Sequence, residues 1–320
     1  MQTLVFDVQR VILEEYANTH APLWCLVCRA WATVAIVNGN TLNRAYKLRQ
    51  LARGGYDDVL QWIWRTRRKD WSRHTKNLLM SEAARGGHAE LVRRCRDVWN
   101  AGDRVQALIR AARGGHEHVV RLCHEDFGLK RDFANDPNGL LGMWDKALES
   151  AARGGHDRLV HQFLELCSAT AVHTSTAVTS AARGGHEHLV RLFRDGYGVD
   201  NRDSLIMAFA ASGGHERLVR VCRDEWGATA DNWAMIEAAG GGHIDLVRLC
   251  HDAWGARDVT RAMIVAAQGG HADVVRLCHD AWGATDTEVI EKAKQHAHMM
   301  RHGHIVQMCQ KWIDEAGVVS

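Results

Sequence analysis

Two residue types in this chain could do chemistry by their spacing. Cys25 and Cys28 form a Cys-x-x-Cys pair, an arrangement used for zinc or for thiol-disulfide exchange. Eight histidines, His88, His116, His156, His186, His215, His243, His271 and His304, recur about once per repeat, and Cys95, Cys123, Cys222, Cys250 and Cys278 each lie seven residues after one of them. Imidazole and thiolate in register suggest a ladder of metal sites. The spacing argues against both ideas. No second cysteine pair lies near Cys25 and Cys28, and zinc needs ligands that converge on one point. The histidines instead fall on successive helix starts, with Tyr56 in place of the first. At the cysteine position two units carry Phe163 and Phe193, and exchange with phenylalanine marks a packing site where free cysteine acts as a small buried hydrophobe. The histidines are therefore expected to hydrogen-bond between repeats. No nucleophile with a paired acid and base, and no phosphate-binding glycine loop, stands outside this pattern, so the expected class is binding rather than catalysis, with no cofactor and no metal.

The elements that carry these residues repeat. Glycine doublets, mostly within the string AARGGH, begin at Gly54, Gly86, Gly114, Gly154, Gly184, Gly213, Gly241 and Gly269, with a degenerate copy, MRHGH, around Gly303. The period is 28 to 30 residues, with one insertion between Gly115 and Gly154. Such a period is the mark of a stacked array. In the unit 243–270, Leu246, Val247, Leu249, Cys250, Ala253 and Trp254 share one helical face, while Asp245, Arg248 and Asp252 lie opposite. Gly255 ends that helix, a second helix runs from Thr260 to Ala267, and the doublet reverses the chain. A pair of helices this small cannot bury its apolar face alone, so units must stack. The prediction is an all-α solenoid of about nine short helix-turn-helix repeats.

Two further columns follow the same register. Trp99, Phe127, Tyr197, Trp226, Trp254 and Trp282 come eleven residues after the reference position and should lock each unit onto the next. Arg93, Arg121, Arg191, Arg220, Arg248 and Arg276 should form a solvated face balanced by neighbouring acids.

The strings AARGGHEHVVRL at 111–122 and AARGGHEHLVRL at 181–192, with a following WGA as at 226–228, resemble the ankyrin signature around its second helix. The resemblance covers roughly residues 45 to 315. It departs from the family in two ways: the units are four or five residues shorter than the ankyrin unit, and they lack its Thr-Pro-Leu-His start. With Pro22 and Pro137 the only prolines, that motif is not displaced elsewhere, and the projecting finger of the family is expected to be truncated or absent. Residues 1–40 lie outside the repeat. The matching positions Leu4, Asp7, Val8, Ile12, Leu13, Leu26, Val27, Cys28, Arg29 and Trp31 resemble an F-box, with Val5 where that family has proline. The F-box resemblance implies contact between Leu4, Val8, Ile12, Leu13, Leu26, Val27 and Trp31 and the Skp adaptor of a cullin-RING ubiquitin ligase. The combination resembles repeat proteins that giant DNA viruses of amoebae encode in large numbers. The domain reading is thus 1–40 F-box-like and 41–320 repeat array, with an insertion near 130–143. The alternative is a ligase-independent or virion-associated scaffold whose N-terminus only caps the first repeat.

Composition bounds the partners. Of 320 residues 40 are basic and 38 acidic, a net charge of +2, which demands neither nucleic acid nor an anionic membrane. No 18-residue apolar stretch and no secretory leader pattern are present, so an intracellular, cytoplasmic protein is expected, in the host cytoplasm if viral. Nine widely spaced cysteines fit reduced thiols. The expected partner is protein, and the chain is expected to be a monomer. Specificity should lie where units differ: Asp231, Asn232 and Trp233 in one correspond to Val259, Thr260 and Arg261 in the next. Asn232, Trp233, Thr260 and Arg261 are the candidate target contacts, with Trp233 as an aromatic anchor.

Overall fold

The structure, a computed structural model, describes residues 48–66, 71–126, 141–167, 171–199 and 202–319. All regular structure among the described residues is helical, as the all-α reading expects. The F-box-like positions, Phe127 and most of the insertion lie outside the described residues. The chain divides into two compact units, residues 1–163 and 164–320. The first contains α1 (Asp57–Thr66), α2 (Arg73–Arg85), α3 (Ala89–Asp97), α4 (Arg104–Gly114), α5 (Glu117–Glu125) and α6 (Leu141–Gly154), and α7 (Asp157–Cys167) begins in it. The second contains α8 (Ala171–Gly184), α9 (Glu187–Tyr197), α10 (Asp203–Ser212), α11 (Glu216–Arg220), α12 (Asp231–Gly241), α13 (Ile244–Arg248), α14 (Val259–Gly269), α15 (Ala272–Arg276), α16 (Thr287–Met299) and α17 (Gly303–Val319). Within each unit the packing follows the sequence. In the first, α2 touches α4 and α4 touches α6; in the second, α8, α10, α12, α14 and α16 pack one on the next.

The string AARGGH explains the hairpin. In Ala111–His116 the backbone N–H of His116 donates to the carbonyl of Ala111 and that of Gly115 to the carbonyl of Ala112. These are the two bonds of a Schellman turn, which needs a left-handed residue at its penultimate position. Gly115 supplies it at φ +77°. Every doublet does the same with its second glycine, from Gly55 to Gly270, at φ between 72° and 86°. The two alanines are fully buried, so first helices can approach closely.

The degenerate ninth turn corrects the sequence register. Arg301 takes the left-handed place at φ +63°, so His302, and not His304, stands in the histidine column, and Gly303 opens α17. The helix after the histidine differs from expectation too. In α11, α13 and α15 it continues as a π-helical turn, Val221–Glu225, Leu249–Ala253 and Leu277–Ala281. That wider winding slips the phase, so Ala253 is exposed and Trp254 half-buried, while Leu246, Val247 and Cys250 remain buried. Each helix then ends in a left-handed residue, Gly227, Gly255 or Gly283. In α3 the same place is filled by Asn100 at φ +57°, which asparagine tolerates better than other residues with a Cβ. Aspartates start several first helices: the side chain of Asp103 accepts from Gln106 N at 3.1 Å and that of Asp258 from Arg261 N at 3.3 Å.

Two glycines of the second unit separate turn geometry from mere helix content. Gly185 sits at φ +78°, and a Cβ there would lie 2.4 Å from Nδ1 of His215; Gly196 has open space around it inside α9. Gly185→Ala should lower stability by about 1–2 kcal/mol from the backbone alone. Gly196→Ala should raise it by about 0.5–1 kcal/mol. Urea unfolding of both variants checks this, and a similar sign for the two would refute the turn assignment.

Candidate protein-interaction surface

The histidine column belongs to the scaffold. A Schellman turn engages the carbonyls of the two alanines and leaves that of the next residue without a partner. The imidazole of the following repeat takes it. Nε2 of His88 bonds the carbonyl of Arg53 at 3.0 Å, His116 that of Arg85 at 2.9 Å, and His156 that of Arg113 at 2.9 Å. In the second unit His215 bonds the Arg183 carbonyl at 3.0 Å, His243 that of Ser212 at 3.2 Å and His302 that of Gln268 at 3.1 Å. Because a carbonyl only accepts, Nε2 must carry the proton. The glycines make room. A Cβ on Gly86 would lie 2.1 Å from the carbonyl oxygen of Arg53, and one on Gly87 2.6 Å from Nδ1 of His116. The first glycine is thus required by close approach and the second by both approach and conformation.

The cysteine column is core. Cys95, Cys123, Cys222, Cys250, Cys278 and Cys309 are free and buried. Burial pushes the thiols of Cys123, Cys222, Cys250 and Cys278 up to about 12, and that of Cys309 up to about 11, so they stay protonated at neutral pH. Among the described residues no group of three or more His, Cys, Asp or Glu side chains is arranged to hold a metal ion. Cys25 and Cys28 lie outside the described residues.

The aromatic column divides. Trp99 is buried and meets Trp71 edge-on at 4.9 Å. Trp226, Trp254 and Trp282 are half-buried, each held by a side chain of the preceding repeat. The guanidinium of Arg194 lies 4.8 Å from the Trp226 ring and that of Arg223 lies 4.9 Å from Trp254. Both arginines also reach the first residue of the next first helix. Arg194 makes a two-pronged bond to Asp203 at 2.9 and 3.1 Å, and Arg223 bonds Asp231 at 3.0 Å. The bond to Asp203 raises the Arg194 pKa further, so the charge is fixed. Where Val259 and Thr287 replace that aspartate, His251 and His279 replace the arginine. These rings stack on Trp282 at 3.9 Å and on Trp312 at 3.8 Å. Sequence reading missed this linkage because it joins different elements, Arg194 reaching both the start of the next helix at Asp203 and the ring of the next repeat at Trp226. Four of the six arginines in the outer column pair with acids, Arg93 with Glu90 and Asp126, Arg191 with Glu187 and Glu225, Arg220 with Glu216 and Arg276 with Asp273, while Arg121 and Arg248 are exposed.

One column on the first helices differs in type from repeat to repeat. Trp233 is 42% exposed, whereas Trp226, Trp254 and Trp282 are half-buried. Eight residues before the first turn position, the other described repeats place Leu78, Gln106, Lys146, Thr176, Leu205, Arg261 and Lys292. All of these except half-buried Leu78 and Leu205 are exposed. Thr260 is exposed next to Arg261, its hydroxyl 3.4 Å from Oδ1 of Asp258. Asn232 has a different task, its side-chain oxygen accepting from the backbone N–H groups of Arg257 and Asp258 at 2.7 and 3.1 Å. Asn77 holds Gly102 N at 2.9 Å in the same way. A shallow depression along α11, lined by Glu216, Arg217, Arg220, Val221, Asp224 and Glu225, is open to solvent and mostly charged. Compared with known proteins, the chain matches no family model and no curated sequence.

The His116 bond makes stability depend on pH. Burial pushes the His116 imidazole below its ordinary value of 6.5; the Arg85 carbonyl opposes this, and His118, His156 and His88 add to the lowering. The folded state therefore binds fewer protons than the unfolded one, so this contribution is complete above about pH 6.5 and is lost as pH falls through the depressed value. The thermal midpoint should drop between about pH 7.5 and about pH 5, where carboxylates with ordinary values stay ionised. His116→Gln, which can still donate to the carbonyl, should show a smaller drop. An equal drop in both proteins would contradict the assignment.

Proposed function

We propose that the chain is a protein-binding solenoid of ankyrin-like repeats, working by recruitment and not by catalysis. The observation that carries this reading is the division of labour within each repeat. Recurrent residues close the backbone and the core, while one column of the first helices changes from repeat to repeat and presents Trp233 at 42% exposure. An exposed aromatic of this kind, buried when a partner binds, dominates many protein interfaces. Thr260 and Arg261 extend the same surface. The recruited target would be handed to a cullin-RING ubiquitin ligase through the Skp adaptor, a role that rests on the F-box resemblance of residues 1–40 alone. If so, the protein acts in the cytoplasm, of a virus-infected host where the resemblance to giant-virus repeat proteins holds.

Pull-down with the full chain and with residues 41–320 tests the recruitment reading. Only the full chain should recover Skp; equal recovery by both would end the ligase half of the proposal. A sharp loss of thermal stability on deleting residues 1–40, with no ligase component bound by either, would favour the capping scaffold.

Trp233→Ala tests the surface independently. Affinity purification of tagged wild type and variant, read by quantitative mass spectrometry, should show at least about tenfold loss of the main target. Because more than half of Trp233 is covered, stability should also fall by about 1–3 kcal/mol, so recovery is compared with both proteins shown to be folded. Unchanged recovery would remove Trp233 from the binding surface.

A further inference from the structure

Five repeats end the first helix on arginine: Arg53, Arg85, Arg113, Arg153 and Arg183. The others have Ser212, Gly240, Gln268 and Met299 in that place. The turn makes one demand of this residue, a carbonyl that accepts from the next imidazole. Ser212 and Gln268 meet it at 3.2 and 3.1 Å, as Arg85 and Arg113 do at 2.9 Å. The guanidinium is therefore not required by the fold. A cation also favours the carbonyl end of a helix, yet four repeats dispense with it.

In the first unit these charges are concentrated. Arg53, Arg85 and Arg113 occupy successive repeats, and Arg110 lies one helical turn before Arg113. None of the four side chains has an ion pair or hydrogen bond among the described residues. Arginines on the neighbouring second helix behave differently: Arg93 pairs with Glu90 and Asp126, Arg94 with Asp57, and Arg96 with Asp97. Partial burial, then Arg53 and Arg113, weakens the hold of Arg85 on its proton, and Glu82 offsets this in part. Arg113 is affected likewise by burial, Arg153 and Arg110. Like charges stacked where the turn does not need them are a local cost that an anionic partner would remove.

We propose that Arg53, Arg85, Arg110 and Arg113 form a docking row for an acidic, extended segment of a partner protein. Spacing favours this partner. Packed helices lie about 8–10 Å apart. A polyproline-II segment rises about 3.1 Å per residue with three residues per turn, so side chains at every third position share one side about 9 Å apart. The matching ligand carries Asp or Glu at every third residue. Single-stranded nucleic acid fits less well, because Tyr56, Trp64, Trp71, Trp99, Trp144 and Phe163 of this unit are buried or half-buried and offer no open face for base stacking. The inference rests on the reading of the array as a protein-binding surface, and names the chemistry of one partner.

Fluorescence anisotropy on the full chain tests it. The probes are a labelled Glu-Pro-Ser repeat peptide, a peptide of the same composition with its glutamates clustered, and oligothymidine of equal charge. At physiological salt the spaced peptide should bind at least about tenfold tighter than either control. R53Q/R85Q/R113Q should lose that binding by about tenfold or more, glutamine being chosen because Gln268 already serves this turn. Arg121→Gln, at an exposed site on α5, should change it less than about twofold. Equal binding of the two peptides, tighter binding of oligothymidine, or an unaffected triple variant would each overturn the proposal. The peptide comparison needs no variant, so a misfolded triple variant would not rescue it. Failure here leaves the Skp pull-down and the Trp233 measurement untouched, so the two readings fail separately.

Discussion

The carbonyl that precedes each glycine doublet is the constraint on which the rest depends. A helix cannot satisfy its last carbonyls, and the Schellman turn of AARGGH satisfies only those of the two alanines. A carbonyl left unpaired inside a contact costs about 1–3 kcal/mol. Here the partner is the imidazole of the next repeat, which enters between two glycines that have no Cβ to block it. Backbone accounting therefore closes between neighbours and not within a repeat. That explains why the alanines, both glycines and the histidine recur together: removing any one of them opens the same joint.

Once that joint is fixed, the remaining surfaces are released to vary, and they vary in different ways. On the second helices the variation is compensated. Arg194 and Arg223 appear with Asp203 and Asp231, and the stacked His251 and His279 appear where the aspartate is lost. Such exchanges preserve coupling between repeats while changing its chemistry from charge to ring stacking. On the first helices the exposed column changes type, and although Lys292 pairs with Glu288, Lys146, Trp233 and Arg261 have no ion pair among the described residues. Such change on a fixed backbone is what a binding surface requires, since each position can be altered without disturbing the joint.

Much of this was legible in the sequence, and the exceptions have physical causes. The glycine period, the buried thiols and the between-repeat role of the histidines follow from register, because a position that exchanges cysteine with Phe163 and Phe193 must be packed. The phase of Ala253 was not legible, since a 3.6-residue period does not anticipate the π-helical turn at Leu249–Ala253. Glycine does not mark the ninth turn, because Arg301 holds the left-handed conformation there and puts His302 in the histidine column. Asn232 looked like a free polar contact, although its amide oxygen spans to the next turn, a distance that register within one repeat does not reveal. The row of Arg53, Arg85 and Arg113 was hidden inside the repeat motif itself, and only the neutral residues at the same turn show that its charge is separable from its fold.

The most direct test of the joint is the protonation state of the ring that closes it. Long-range nitrogen-proton NMR spectra of the chain labelled at its 20 histidines, with His116 assigned by its substitution, report which ring nitrogen carries the proton. The account requires a neutral ring with the proton on Nε2 at neutral pH, its exchange slowed by the Arg85 carbonyl. A ring protonated on Nδ1, or one averaging rapidly between the two tautomers as in a free side chain, would contradict it.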